Sequence, residues 1–374
     1  MFDPTTRVKK IFRYIDEDNR LREKPEALII ANGVEPHLDT SFFYITGYPY
    51  GLFEASYLIC GRNEDFTLVT TPLEEPIASA NSKNIEIYAE IDTESMRARL
   101  RKVVGNRKMT LGVNAAELNY KSFIEIKSVL NKCRFIDASE AFESARLVKD
   151  QREIELIKEA CDIASKIHKK IPSMLKGGVS ESDISANMAY EMQKLGASGV
   201  SFDTIIAFGK NSAQPHYSAG SAKLKSKDFV LCDYGAKFKR YCSDITRTFI
   251  YGTASKKQLR MYEVVRDAQK LGIELCKKEN TGEYVHSKVS EFINSTEFKG
   301  RFTHGTGHSL GLAVHDGPGL SKRYKKPLQP GMVVTVEPGV YIPEIGGVRI
   351  EDDILITENK PRILTTASRE LIEV

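Results

Sequence analysis

Three of the seven histidines of this chain fall in one short run, HGTGHSLGLAVHD, residues 304–316. Imidazole at that density suits metal ligation or proton transfer near neutral pH. His304 and His308 are four apart, the spacing of the helical zinc motif HExxH, but no glutamate follows His304. Gly305 and Gly307 alone disfavour helix by about 2 kcal/mol. The run is therefore expected as irregular chain entering a strand that carries His308 inward and returns His315 close to it. His37, His168 and His286 stand alone and are expected as hydrogen-bonded structural residues.

Carboxylates supply the second half of the chemistry. LCDYGAKFKRYCSDITRTF reads as strand, turn, strand, and a symmetric closure about Phe238 and Lys239 opposes Asp233 to Asp244. In MVVTVEPGVYIPEIGGVRIEDDILIT, a closure about Glu344 likewise opposes Glu337 to Glu351. Opposed residues on one strand face have Cβ atoms about 5 Å apart, where two carboxylates repel unless a cation or proton intervenes. A single acid on a half-exposed strand would read as a surface residue. Here the flanks (FVLCD, VVTVE, VRIEDDILI) are apolar, so at least one pair points inward, where unpaired charge costs several kcal/mol. A bound metal removes that cost.

The elements that must position these groups follow from bulk properties and periodicity. At 374 residues the chain is expected to form two domains. Hydrophobic residues at 41% and charged residues at 28% leave no apolar run near the roughly 20 residues of a membrane span, so no membrane partner is expected. Acids and bases at the N-terminus occupy the place of a signal-peptide core, and a cytoplasmic protein is expected. The six cysteines contain no CxxC pair and are expected as reduced, mostly buried thiols. A net charge of +4 with both signs interleaved argues against a nucleic-acid partner.

Residues 1–143 alternate strand-like and helix-like segments (EALIIA, SFFYITGY, ASYLICGRNEDFTLVTT with a turn at its middle, IEIYAEI) before a charged helix at TESMRARLRKVV, which predicts a small α/β domain. From residue 144 to 374 the order is helix, helix, strands, and then the same order again roughly a hundred residues later, an internal repeat. The first half holds a helix over about 150–172 and one opened by the SESD cap at Ser180 and closed at Gly196. Two like halves, each with one carboxylate pair, predict an α+β domain with pseudo-twofold symmetry around one site.

LCDYGAKFKRYCSDITRT, HGTGHSLGLAVHDGP, VEPGVYIP and GVRIEDD, in this order, closely resemble the metal-site motifs of the pita-bread metallopeptidases, in particular the Xaa-Pro dipeptidases (prolidases) and Xaa-Pro aminopeptidases. SFFYITGY more loosely resembles their creatinase-like N-terminal domain. The resemblance implies a C-terminal pita-bread fold in which Asp233, Asp244, His308, Glu337 and Glu351 hold two divalent metal ions, with Asp244 and Glu351 bridging. It implies that His216 and His315 flank the scissile carbonyl, that His304 lines a proline pocket, and that Tyr341 and Arg349 support the substrate. Glu337 would shuttle a proton to the leaving nitrogen, beside water activated by the metals. Four carboxylates and one imidazole suit manganese or cobalt, then iron or zinc. The implied partners are short proline-containing peptides and a second copy of the chain in a homodimer. Ser309 stands where many relatives have glycine, a change that bears on loop geometry more than on ligation.

Three other readings compete. A methionine aminopeptidase shares the five ligands but ordinarily lacks so large a preceding domain. A catalytically silent peptide-binding pita-bread domain, or a metal-free carbon–nitrogen hydrolase of creatinase type, would not need all five.

Overall fold

A computed structural model of the chain describes residues 3–374. It separates into two compact units, divided after Arg146 rather than after residue 143. The helix Ser139–Leu147 explains the difference. Phe142 and Ala145 are fully buried, and the Tyr44 hydroxyl donates to the Ala145 carbonyl at 3.0 Å, so most of that helix belongs to the first core.

The first unit is built on one mixed sheet of six strands, β1 (Ala27–Ala31), β2 (Tyr57–Gly61), β3 (Phe66–Thr70), β4 (Glu86–Ala89), β5 (Thr110–Val113) and β6 (Arg134–Asp137), in the order β4-β3-β2-β1-β5-β6. Helix Thr93–Val104 packs Met96, Leu100 and Val104 against Ile29, Ile59 and Val69 of the sheet. SFFYITGY, left between strand and helix by the sequence, is the helix Thr40–Thr46. The Asp39 carboxylate caps it by accepting from the Ser41 N–H, and Gly47 closes it at φ 67°. Ser41 to Thr46 are all buried, and a segment buried on every side has no periodicity to separate helix from strand.

The second unit repeats a helix pair followed by strands. Helices Gln151–His168 and Glu181–Lys194 begin at capping boxes, Asp150 with Glu153 and Ser180 with Asp183. Their apolar faces, including Ile163, Ile167, Met188 and Met192, cover Ile206, Val230, Cys232 and Ile245. In the second half, helices Lys256–Leu275 and Gly282–Asn294 bury Met261, Val265, Val289 and Ile293 against Phe229, Val340, Val348 and Ile350. The strands are β7 (Gly199–Val200), β8 (Ile205–Phe208), β9 (Phe229–Tyr234), β10 (Ala236–Phe238), β11 (Tyr241–Cys242), β12 (Ile245–Ile250), β13 (Val333–Val336), β14 (Gly339–Ile342), β15 (Gly346–Arg349), β16 (Asp352–Leu355) and β17 (Arg362–Ile363).

Two registers decide where the carboxylates stand. In the second half, Val336 faces Asp352 and Gly339 faces Arg349, so Glu337 and Glu351 are level, as the symmetric closure about Glu344 requires. In the first half the register is displaced. Asp233 faces Thr246, and continuing the ladder sets Asp244 level with Gly235. The turn is Lys239–Arg240, both at positive φ (45° and 74°), a two-residue hairpin turn one position beyond the expected centre. Asp233 and Asp244 are thus diagonal on one face, about 7 Å apart at Cβ for such pairs rather than 5.

All six cysteines are free thiols, five of them buried. Among the described residues no helix is long and apolar enough to cross a membrane. Of the isolated histidines, His286 meets the Thr306 hydroxyl at 3.1 Å as expected, whereas His37 is exposed. His168 is buried and stacks on Phe249, ring centroids 5.4 Å apart, with neither ring nitrogen hydrogen bonded. Its role is aromatic packing rather than the hydrogen bonding expected. Burial, with Arg247 nearby, lowers its pKa from 6.5 to about 4. The unfolded chain then takes up the proton first, so stability is held above pH 6.5 and lost as pH falls toward 4. In thermal unfolding of His168→Phe, that acid limb should be shallower by up to about 3 kcal/mol; an unchanged slope would remove His168 as its source.

Candidate metal centre

The carboxylates arrive from strand ends: Asp233 on β9, Asp244 just before β12, Glu337 just after β13 and Glu351 just before β16. His308 comes from irregular chain and is stitched to β13. Its N–H donates to Thr335 Oγ1 at 3.0 Å, and its carbonyl accepts from the Thr335 N–H at 2.8 Å. That stitch explains the glycines around it. A Cβ on Gly307 would lie 1.8 Å from the Thr335 oxygen, and one on Gly319 would lie 2.2 Å from the His308 Cα. Ser309 fits because its hydroxyl turns aside and donates to the Pro318 carbonyl.

Ligand atoms of Asp244, His308 and Glu351 lie within 4.8 Å of one another. His308 Nε2 is 3.5 Å from Asp244 Oδ2 and 3.7 Å from Glu337 Oε1. Asp233 lines the same cavity of about 530 Å³, with His216, His304 and His315. The His308 and His315 rings meet edge to face, 4.2 Å between centroids. Every residue expected at the site from sequence is therefore in or beside one cavity, with Asp233 and Glu337 outside the tightest triad and Tyr341 behind the wall.

The electrostatics ask for a cation. Burial, then the neighbouring carboxylates Asp233, Asp353 and Glu337, push the Asp244 carboxyl well above its usual range; burial, then Asp244, Glu337 and Asp233, do the same to Glu351. Asp233 Oδ1 and Asp244 Oδ1 are buried without a hydrogen-bond partner. His308 Nδ1 lies 3.3 Å from the Ser309 carbonyl, which can only accept, so Nδ1 carries a proton and Nε2 is the nitrogen turned toward the carboxylate oxygens. With a metal ion between them, Nε2 and those oxygens become its ligands. The donor set, rich in oxygen with one imidazole, fits divalent cations.

A hydrogen-bonded chain backs the ligands. Thr246 Oγ1 donates to Glu351 Oε2 (2.6 Å) and accepts from Arg349 Nε (3.1 Å); Arg349 Nη1 donates to Tyr341 Oη (2.9 Å), which lies 2.8 Å from His304 Nε2. Arg349 Nη2 pairs with Asp233 Oδ2 at 2.5 Å. His304 Nδ1 is 2.8 Å from the Gly305 carbonyl, so it holds the ring proton and Nε2 accepts from Tyr341. Burial keeps the pKa of both His304 and His315 below the usual imidazole value.

Sequence reasoning missed several supports. Thr246 and Thr335 alternate with the ligands Asp244 and Glu337 along their strands, and that spacing is the one signal the sequence offers for them. Asp353, whose Oδ2 accepts from the Asp244 N–H at 3.0 Å and the Cys161 thiol at 3.2 Å, shares Glu351's face of the strand. Asp352 points the other way, to Arg247 (2.8 Å), Arg369 (2.6 Å) and Gln269 (2.7 Å).

Fold and site together define a metal-dependent peptidase. The chain belongs to metallopeptidase family M24, whose pattern matches residues 155–358, and the creatinase/prolidase N-terminal domain matches residues 21–148. It is a metallo-exopeptidase with the pita-bread fold, and family membership implies divalent metal ions. The Xaa-Pro dipeptidase of Pyrococcus furiosus is 34% identical over 368 residues, 98% of this chain and 99% of that one. The solved structure of an Xaa-Pro dipeptidase from Bacillus anthracis is similar over 100% of both chains, with TM-score 0.89 and 33% identity. An X-Pro aminopeptidase from Thermotoga maritima is similar over 94% of this chain and 98% of its own, with TM-score 0.87 and 31% identity.

Proposed function

We propose that this chain hydrolyses the Xaa-Pro bond of dipeptides or short peptides, and that Asp233, Asp244, His308, Glu337 and Glu351 would together hold two divalent ions for that reaction. The observation that carries the reading is the convergence of His308 Nε2 and two unpartnered carboxylate oxygens in one cavity. Divalent ions bound there supply Lewis acidity and lower the pKa of water. The Glu337 carboxylate, beside His308, accepts a proton and delivers it to the leaving nitrogen. His216 and His315 flank the scissile carbonyl, and neutral His315 donates one hydrogen bond where charge develops. His304, with Phe302 edge-on at 5.0 Å, lines the pocket for the proline ring. A proline nitrogen has no N–H for ordinary peptidases to grip, so recognition falls to ring packing.

His315→Ala is expected to keep its full metal content and lose about 100-fold in kcat, the effect of one donor to a developing oxyanion. Metal analysis beside steady-state kinetics checks it; loss of metal in parallel with rate would make His315 a ligand instead. The reading as a whole is tested by release of methionine from Met-Pro and from a tripeptide beginning Met-Pro, with chelated protein reloaded with manganese or cobalt. Cleavage of the dipeptide alone identifies a dipeptidase. Cleavage of the tripeptide after its first residue identifies an aminopeptidase, the second reading that likeness to the Thermotoga maritima structure keeps in play. Inactivity on both with metal bound leaves a peptide-binding domain.

A further inference from the structure

The segment that carries His216 has no regular structure of its own beyond a single 3-10 turn at Gly209–Ala213. The Gly347 N–H ties it to β15 by donating to Ser212 Oγ at 2.8 Å, and one carboxylate gathers the rest. Glu181, the first residue of helix Glu181–Lys194, has no solvent exposure and accepts four hydrogen bonds from this segment and its flanks. Oε1 accepts from the Phe208 N–H (2.8 Å) and Asn211 Nδ2 (2.9 Å); Oε2 accepts from the Tyr217 hydroxyl (2.8 Å) and the Gly220 N–H (3.1 Å). Asn211 Nδ2 also donates to the Tyr217 hydroxyl at 2.9 Å, which closes the ring of contacts. None of the four donors is a cation, so the buried charge is balanced by oriented dipoles, including that of the helix whose first turn it occupies.

We propose that Glu181 is a positioning residue for catalysis: it gathers residues 208–220 so that His216 is held at the cavity wall beside the metal-binding carboxylates. The inference rests on the reading that His216 flanks the scissile carbonyl. The same segment reaches the metal site by a second route, because the Pro215 carbonyl accepts from Arg349 Nη1 at 3.4 Å, and Arg349 pairs with Asp233. The chemistry requires a carboxylate and not merely a polar group of that size. Glutamine has one acceptor oxygen, and its amide nitrogen would confront a backbone N–H at whichever position it took, that of Phe208 at one and that of Gly220 at the other.

Glu181→Gln changes no volume, and Asn211→Ala removes donors without touching the cavity. Each is compared with the native enzyme, all loaded with manganese, for metal content, kcat, KM and amide hydrogen exchange across residues 208–220. The expected result is faster exchange confined to that segment, unchanged metal content, and kcat lower by about tenfold to a hundredfold in Glu181→Gln, with a smaller loss in Asn211→Ala. The double variant should lose less than the product of the single effects, since both act through one segment. Native exchange rates in folded Glu181→Gln overturn the proposal. Faster exchange with native kcat also overturns it, and places the fault in the role given to His216. If the native enzyme itself leaves Xaa-Pro bonds intact, the functional reading fails separately, because the exchange measurement does not depend on activity.

Discussion

Asp244→Asn and Glu351→Gln are each expected to abolish Xaa-Pro hydrolysis, by about 1,000-fold or more, while making the metal-free protein more stable than the native one at alkaline pH. The first effect follows from the donor set: an amide in place of either carboxylate removes a charge from the proposed metal site, and several kcal/mol of charge stabilisation correspond to a factor of ten for each 1.4 kcal/mol. The second follows from burial. Both carboxyls are raised well above their ordinary range, first by desolvation and then by the other carboxylates. A raised carboxyl binds its proton more tightly folded than unfolded, so its contribution is present below the unfolded value and is lost as pH rises through the folded one. Chelated native protein should therefore lose thermal stability from mildly acid to alkaline pH, and either neutral variant should lose less. Saturating manganese should reverse the order, since ligand that binds only the native state stabilises it. Thermal unfolding of the native protein and both variants, with and without chelator, checks all six curves. A chelated native protein equally stable at both ends would show that the carboxylates do not oppose one another.

The largest loss of stability is expected from Arg247→Met. Arg247 is 1% exposed and donates to the carbonyls of Thr246 (2.9 Å), Ala367 (2.9 Å), Ser368 (2.6 Å) and Glu351, besides its ion pair with the fully buried Asp352. Burial alone would raise the Asp352 pKa, but Arg247 and Arg369 more than offset it and hold the carboxyl below its usual value. Removing one partner of such a pair leaves the other charge buried and under-compensated, at a cost of about 3–5 kcal/mol. For a unit of this size that is a fall of about 10 °C in Tm. Arg247→Met with Asp352→Leu should recover part of the loss, because replacing both members with apolar residues removes the stranded charge. Calorimetry of the single and double variants decides it; an additive pair would mean that the carbonyl contacts, rather than the ion pair, carry the stability.

The glutamate hairpin and the aspartate hairpin show where sequence reading succeeds and stops. Both were placed by symmetric closure of a strand pair. Around Glu344 the symmetric register is the observed one. Around Phe238 and Lys239 it is not, because the turn falls on Lys239 and Arg240, which adopt left-handed conformations that their side chains do not advertise; glycine or asparagine would have marked the place. The error moved a partner and not a face, since the side-chain period of a strand is two, and the site survived it. Burial hid the other discrepancies. SFFYITGY has no exposed face from which a period could be read, and His168 has an aromatic neighbour 81 positions away in the chain. Asp352 and Asp353 were equally silent in the run EDD, yet one anchors the core and the other the backbone of a ligand.

One consequence of the chain from Glu351 through Thr246, Arg349 and Tyr341 to His304 concerns direction. Arginine has hydrogens to give and no lone pair to take, so at each end the next hydroxyl must point its own hydrogen outward: Thr246 toward Glu351, Tyr341 toward His304. Arg349 works as a one-way valve for hydrogen-bond polarity, and only one arrangement of hydrogens satisfies the circuit. It leaves His304 with its single proton on a carbonyl and its lone pair filled, while the Ser309 carbonyl, outside the circuit, fixes Nδ1 of His308 and turns Nε2 to the carboxylates. Among the four imidazoles of this cavity, the division of labour is settled before a substrate enters, and His216 and His315 alone keep a nitrogen at liberty.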